Sequence, residues 1–265
     1  MTASRDNPLP VFFAWVFALS VPFWLLSAAT GWQLLPDLSV SALMTFCPAV
    51  AASILVYRER GHRGVTDLLR RSLDYARIRP ATWFVAIFLL MPAAMVATRW
   101  LISASAAPSI PIVKMPLLFI ALFVGALGEE LGWSGYAVDR MQRQNSALPA
   151  AVVLGAIWAA WHIVPLLEAQ RPAMWIAWWC LFTVATRVLI VWIYNNAGRS
   201  VVAAALYHAV GNVCTIGFAR YFDPRVTGLI IAIVAALVTV LWGPRTFMRF
   251  AHPRIARLGA SSRRL

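Results

Sequence analysis

The chain has 265 residues, of which 61% are hydrophobic and only 12% are charged. A soluble globular domain carries about 25% charged residues, so this composition excludes an ordinary soluble domain and predicts a protein solvated largely by lipid. The formal net charge of +13 comes from arginines concentrated in loops and in the C-terminal tail. Because we find no nucleic-acid motif, we expect anionic lipid headgroups, and not nucleic acid, as the partners of these arginines.

Apolar segments of about the length that spans a bilayer follow one another along the chain. They predict one all-α domain over residues 1–265, a polytopic membrane helical bundle with about eight transmembrane helices. The first segment is longer than a signal-peptide core and lacks a clear cleavage site, so we expect it to be retained as a membrane helix. The eight segments are residues 10–30, 39–57, 81–103, 114–137, 148–167, 173–194, 199–219 and 226–243.

The distribution of basic residues predicts how the bundle sits in the membrane. With the N-terminus inside, most of the 23 Lys and Arg residues fall in cytoplasmic loops and in the C-terminal tail. This places both termini in the cytoplasm, for a multi-pass protein of the cytoplasmic membrane. The longest inside loop, residues 58–80, sets Leu69 and Leu73 among arginines, which predicts an amphipathic helix on anionic inner-leaflet headgroups. The same loop also fits a substrate-docking surface.

Polar side chains are rare inside the apolar segments, and they fall at a similar depth on three of them. At about 1.5 Å per residue, Glu129 and Glu130 lie about 12–14 Å from the cytoplasmic end of the fourth segment. His162 lies about 18–20 Å into the fifth, and His208 and Asn212 lie about 13 and 19 Å into the seventh. Each alone fits a structural role, but an ionisable group in hydrocarbon marks a functional site by default. Together they predict a shared polar pocket.

These groups suit hydrolysis of an amide by activated water. A carboxylate beside a histidine in a largely dry cavity can take a proton from water. His208 and Asn212 are four residues apart, so they share one helix face and can donate to a developing oxyanion. A serine mechanism has less support, because Ser134 is the only serine near the acids and no GxSxG motif is present. No cofactor is firmly predicted; zinc accepts Glu and His, but the HExxH motif is absent.

Three short motifs carry a resemblance to a known family. "EELGWSGY", "WAAWH" and "HAVGN" occur in this order on the fourth, fifth and seventh segments. They resemble the motifs EExxxR, aromatic-xxx-His and HxxxN of the CAAX prenyl endopeptidase and bacteriocin-processing family, also called CPBP or Abi, which includes the type 2 CAAX prenyl proteases. The similarity covers roughly residues 115–215, the predicted catalytic core. It implies an eight-helix glutamate intramembrane protease.

The resemblance also implies a role for each motif residue. Glu129 corresponds to the general base that activates water, and His162 to its partner. Glu130 corresponds to a second acid that supports the site. His208 and Asn212 correspond to the groups that stabilise the oxyanion.

One position departs from the family motif. Ser134 stands where the motif has arginine, and a serine cannot pair with an acid as a guanidinium does. Arg187, well inside the sixth segment, is the candidate for the missing cation, although it also fits packing against backbone carbonyls. Trp158 occupies the aromatic place of the second motif, where phenylalanine is commoner.

The leading prediction is a membrane endopeptidase that cleaves a peptide or a membrane-anchored protein near the cytoplasmic face. A catalytically weak scaffold or immunity-type relative is one alternative, and Ser134 is the reason to consider it. A transporter that uses the same polar pocket is the other. A transporter is expected to show inverted repeats or broken helices in matching halves, and the sequence shows neither clearly.

Overall fold

The computed structural model describes residues 7–35, 38–103 and 108–248, and within them the chain is almost entirely helical. Its strands are two short antiparallel pieces, β1 (Gln33–Leu35) and β2 (Leu38–Ser39), that connect the first two long helices. The predicted all-α bundle is therefore confirmed. The two ends of the chain, residues 1–6 and 249–265, lie outside the described residues, so the predicted cytoplasmic location of both termini stays a prediction.

Ten α-helices cover the described residues, several of them joined end to end. They are α1 (Leu9–Thr30), α2 (Cys47–Arg70), α3 (Trp83–Leu101), α4 (Met115–Gly132), α5 (Asp139–Gln144), α6 (Ala147–Trp161), α7 (Ile163–Glu168), α8 (Ala173–Asn196), α9 (Val201–Asn212) and α10 (Pro224–Trp242). A π-helical turn, Trp133–Val138, continues α4 into α5, and a second, Val213–Gly217, extends α9.

The membrane-spanning segments agree with the apolar stretches of the sequence. In the part of the chain that the structure describes, seven helices are long and apolar enough to cross a membrane, and an eighth, Val201–Gly217, is apolar but shorter. Each of the eight predicted segments overlaps one of these. The shorter one contains α9, which is buried along nearly its whole length against α3, α4 and α8. The bundle therefore places α9 at its centre, where it meets protein more than lipid.

Close contact between α2 and α4 fixes the end of α4 that carries the two glutamates. A methyl group added at Gly132 would lie 2.5 Å from the backbone of Pro48, near the start of α2. Only glycine allows the two backbones to approach this closely, as at other tight helix crossings in membranes. The approach brings the turn before α2, including Thr45, against the last turns of α4.

Residues 58–80, which we predicted to form an amphipathic helix on the membrane surface, are α-helical only in part. After a break at Gly61, α2 continues to Arg70, and tight 3₁₀ turns follow over Arg71–Arg77. Leu69 and Leu73 are exposed, but they do not share one α-helical face because the α-helix ends between them. Arg71, the first residue after the helix, turns inward, and its guanidinium donates to the Gly135 carbonyl at 2.8 Å.

The same 3₁₀ turns fix the start of the central helix α9. The carboxylate of Asp74 accepts hydrogen bonds from the backbone N–H groups of Val201 and Val202, at 3.0 and 3.1 Å, and from the Ser200 hydroxyl at 2.7 Å. A carboxylate at a helix N-terminus satisfies N–H groups that have no partner within the helix and complements the helix dipole. Asp74 thereby anchors the helix that carries His208.

Candidate active site

Four helices bring the rare polar side chains of the bundle to one place. Glu129 and Glu130 lie in the last turn of α4, Trp158 in α6, and Arg187 in α8. His162, at the junction of α6 and α7, and His208, in α9, face the same group of residues. The two glutamates, Ser134, Arg187 and His208 are all buried, and His162 is half-buried.

Among the described residues, only neutral groups donate hydrogen bonds to the Glu129 carboxylate. Its Oε2 accepts hydrogen bonds from the indole N–H groups of Trp158, at 2.7 Å, and of Trp133, at 3.2 Å. Its Oε1 lies 3.1 Å from the hydroxyl of Thr45. Sequence reasoning missed both Thr45 and Trp133. Trp133 follows Glu129 by four residues, a spacing that places two side chains on one helix face, whereas no pattern in the sequence points to Thr45.

Charged and ionisable groups surround Glu130 instead. Arg187 Nη1 lies 2.9 Å from each of its carboxylate oxygens. The Ser134 hydroxyl donates to Oε2, and His208 Nδ1 lies 3.1 Å from Oε1. Both Glu130 and Arg187 have no solvent exposure. A fully buried carboxylate requires such pairing, since an isolated charge in a medium of low dielectric is very costly.

Arg187 connects Glu130 to the aromatic side of the site. Its guanidinium carbon lies 4.1 Å from the centre of the Trp158 ring, a cation–π distance. Among the described residues, its Nε and Nη2 have no hydrogen-bond partner, and no backbone carbonyl accepts from it. Within the described residues, the guanidinium therefore makes its polar contacts with the Glu130 carboxylate and its cation–π contact with Trp158.

His162 is oriented by the backbone of α6. Its Nδ1 lies 2.9 Å from the carbonyl oxygen of Trp158. Because a carbonyl only accepts, Nδ1 must carry the proton, and in the neutral ring Nε2 then presents a lone pair. The imidazole packs between the rings of Trp161 and Trp179, with centroids 4.8 and 5.3 Å away. Its ring also stands edge-on to that of Trp158, the indole that donates to Glu129, with centroids 5.6 Å apart.

His208 stands edge-on to Trp158, with ring centroids 5.0 Å apart and planes at 85°. Its Nδ1 points at Glu130, so Nε2 is the nitrogen that remains for another partner. Asn212 is the last residue of α9, one turn beyond His208, and is half-buried. In the described part of the chain no hydrogen bond joins the Asn212 side chain to the other site residues. The structure thus gathers seven of the eight predicted site residues and places Asn212 one turn away.

The arrangement offers little to a metal ion. Within residues 7–35, 38–103 and 108–248, no group of three or more His, Cys, Asp or Glu side chains is placed to hold one. The carboxylate oxygens of Glu130 already accept from Arg187, and those of Glu129 meet indole and hydroxyl donors. The zinc that the sequence left open therefore gains no support from the geometry of these donors.

Comparison with known proteins finds a family that this part of the chain is similar to. Residues 111–214 match the model of the type II CAAX prenyl endopeptidase Rce1-like family, and this range includes every predicted site residue. A relative from Methanococcus maripaludis, CAAX prenyl protease 2, is 26% identical over 212 residues, which cover 72% of this chain and 77% of the relative. The matches agree with the motif resemblance and with a multi-pass membrane protein. Over residues 111–214, the chain is therefore similar to the type II CAAX prenyl endopeptidase Rce1-like family.

Proposed function

We propose that the protein is an intramembrane endopeptidase in which Glu129 activates the water that attacks the peptide bond. The observation that carries this proposal is the unequal pairing of the two glutamates. Glu130 is bound by a guanidinium and an imidazole, whereas the donors that reach Glu129 from the described part of the chain are all neutral. A general base must be able to gain and lose a proton during the reaction, and a carboxylate tied to a buried cation is poorly suited to that.

In the proposed reaction, a water lies between Glu129 and His162. Glu129 takes a proton from this water as its oxygen attacks the carbonyl carbon of the peptide bond. The same proton then passes from Glu129 to the amine nitrogen as the C–N bond breaks. The lone pair on His162 Nε2, fixed by the bond from Nδ1 to the Trp158 carbonyl, accepts the second hydrogen of the water as a hydrogen bond and so orients it.

His208 and Asn212 supply the oxyanion stabilisation in this proposal. The two glutamates carry two negative charges and Arg187 carries one positive charge, so a protonated His208 would bring the buried group to neutrality. An imidazolium held by Glu130 at Nδ1 offers its Nε2–H to the developing oxyanion, and Asn212 offers an amide N–H from the same helix. Each such donor is typically worth about 10²–10³ in rate.

The cation next to Glu130 supports an active enzyme over a weak scaffold. The scaffold alternative rested on Ser134, which takes the place of the motif arginine. Arg187 delivers a guanidinium to the same carboxylate from α8, and Ser134 adds a hydrogen bond to it. The site therefore keeps the cation that the motif would supply from α4. No observation favours the transporter alternative.

The relative from Methanococcus maripaludis is named a CAAX prenyl protease, so a prenylated peptide with a C-terminal CAAX box is the first substrate to test. We further propose that the chain is one integral-membrane domain of the cytoplasmic membrane with its catalytic core at residues 115–215. Its exposed arginines would face anionic inner-leaflet lipids there, near the peptide bond that is cleaved.

Purified protein in liposomes, given a farnesylated CAAX peptide and a pool of unmodified peptides, tests the proposal. Mass spectrometry of the products should show cleavage by the wild type, and Glu129→Ala or His162→Ala should abolish it. Asp67→Ala and His62→Ala serve as controls, because both residues are exposed and lie outside the site. Cleavage that is unchanged in both site variants would end the catalytic assignment. A wild type that cleaves neither kind of peptide would favour the scaffold.

A further inference from the structure

We infer that Trp133 and Trp158 clamp one oxygen of Glu129, Oε2, so that the other oxygen, Oε1, takes the proton from water. The inference rests on the proposed function and assigns the reacting atom within it. It also makes the two tryptophans positioning residues, which act on the reaction through Glu129.

The donors at Oε2 leave that atom no free lone pair. Trp158 Nε1 lies 2.7 Å from Oε2 and Trp133 Nε1 lies 3.2 Å from it. An indole N–H can donate but cannot accept, so neither contact can reverse its direction. A carboxylate oxygen offers about two lone-pair directions, and two fixed donors occupy them. Oε2 is therefore poorly placed to accept a proton from water.

The donor at Oε1 is weaker and shared. Thr45 Oγ1 lies 3.1 Å from Oε1 and 2.9 Å from the carbonyl oxygen of Gly125. A hydroxyl has a single hydrogen, so it serves only one of these acceptors at a time. Even when Thr45 donates to Glu129, one lone pair on Oε1 remains. Oε1 is thus the oxygen at which a water can be activated.

Both indoles are themselves held firmly, so the clamp is rigid before any substrate arrives. Trp133 has no solvent exposure and packs edge-to-face against Phe12 and Trp161, with each centroid 5.6 Å away. The face of the Trp158 ring lies under Arg187, whose guanidinium carbon is 4.1 Å from the ring centre. Preorganised contacts of this kind keep a reacting group within the narrow range of positions that catalysis needs.

The identity of residue 158 matters for this inference. A phenylalanine, the commoner residue at this place in the motif, would fill a similar volume and still offer a face to Arg187. It could not donate a hydrogen bond to Glu129. The tryptophan therefore adds a function that the ring alone does not provide.

The test removes each indole N–H and keeps an aromatic ring. We expect Trp158→Phe and Trp133→Phe each to lower kcat by about 10- to 100-fold and to leave KM nearly unchanged, because a small misplacement of a reacting group can cost about 10²-fold. The substrate is the farnesylated CAAX peptide, or a peptide from the pool that the wild type cleaves. Trp192→Phe is the matched control. It makes the same change at a buried tryptophan of α8 whose ring packs against Trp83 and Trp242, and whose Nε1 has no hydrogen-bond partner among the described residues.

Several results would overturn the clamp. One is a kcat for either Trp158→Phe or Trp133→Phe that matches Trp192→Phe, and another is a rise in KM with kcat retained, which indicates a packing role. An equal loss of kcat in all three variants would also contradict it, since the Trp192 ring packs against Trp83 and Trp242 and not against the acids. The failure of the proposed function looks different: Glu129→Ala would then cleave like the wild type.

Discussion

Glu129 and Glu130 are neighbours in the sequence and yet occupy opposite environments. They point about 100° apart around α4, so different elements face them. Glu130 points toward α8 and α9 and meets Arg187 and His208, whereas Glu129 points toward α6 and the turn before α2 and meets indoles and a hydroxyl. The contrast shows that two adjacent acids in a membrane helix can have different surroundings because they point in different directions around the helix, and the proposed division of roles rests on that difference.

The two environments affect folding stability differently, because only Glu130 belongs to a buried ion pair. Glu130 and Arg187 form a fully buried ion pair, which contributes little net stability when intact but is expensive to break. Glu129 is held by neutral donors, which can also donate to a protonated carboxyl group or to an amide oxygen, although less strongly than to a carboxylate. We therefore expect changes at Glu130 and its partners to affect folding, and changes at Glu129 to affect mainly the reaction.

The largest effect on stability is expected from breaking the buried pair. Arg187→Met leaves Glu130 buried without its cation, and removal of one partner of such a pair costs about 3–5 kcal/mol. The double variant Arg187→Met with Glu130→Gln removes both charges and should recover most of that loss. Thermal unfolding in detergent, followed by the change in tryptophan fluorescence, measures both.

The double variant is also the control for this prediction. If it unfolds at the same temperature as Arg187→Met alone, the damage comes from lost packing on Trp158 and not from an unpaired charge. If Arg187→Met unfolds like the wild type, Glu130 does not depend on the guanidinium, and the two acids would be less different than their surroundings indicate.

A smaller effect is expected where α9 begins. Asp74→Ala removes the acceptor for the N–H groups of Val201 and Val202. Loss of a helix cap typically lowers the free energy of unfolding by about 0.5–2 kcal/mol. Because α9 carries His208 to Glu130, we also expect a modest fall in the cleavage rate. Asp67→Ala, an exposed acid in the preceding helix, should change neither quantity. Equal melting temperatures for the two variants would show that Asp74 does not anchor α9.

Much of the fold could be predicted from the sequence because lipid imposes a simple length rule. A helix that crosses a bilayer needs about 20 apolar residues, and runs of this length marked all the long helices. The surface segment was harder to predict. There the arginines suggested contact with headgroups, but Arg71 and Asp74 turn inward to bind the protein backbone, and that choice depends on tertiary contacts.

The site could be predicted as a set of residues but not as a set of contacts. Counting residues from the helix ends placed the acids and histidines at one depth, and their convergence in the structure agrees with that. The sequence does not say how far each helix is rotated, so it could not say which glutamate meets Arg187. Thr45 carried no signal at all, because it reaches Glu129 from a different part of the chain.

The division of labour between the two acids is tested most directly by comparing Glu129→Gln with Glu130→Gln. Each variant is assayed for cleavage rate and for unfolding temperature in the same detergent. The account predicts that Glu129→Gln lowers the rate by about 10²–10⁴-fold and unfolds close to the wild type, since an amide oxygen can still accept from the two indoles. It predicts that Glu130→Gln unfolds at a clearly lower temperature, since Arg187 loses its counter-charge. Wild-type cleavage by Glu129→Gln, or equal unfolding temperatures for the two variants, would contradict it.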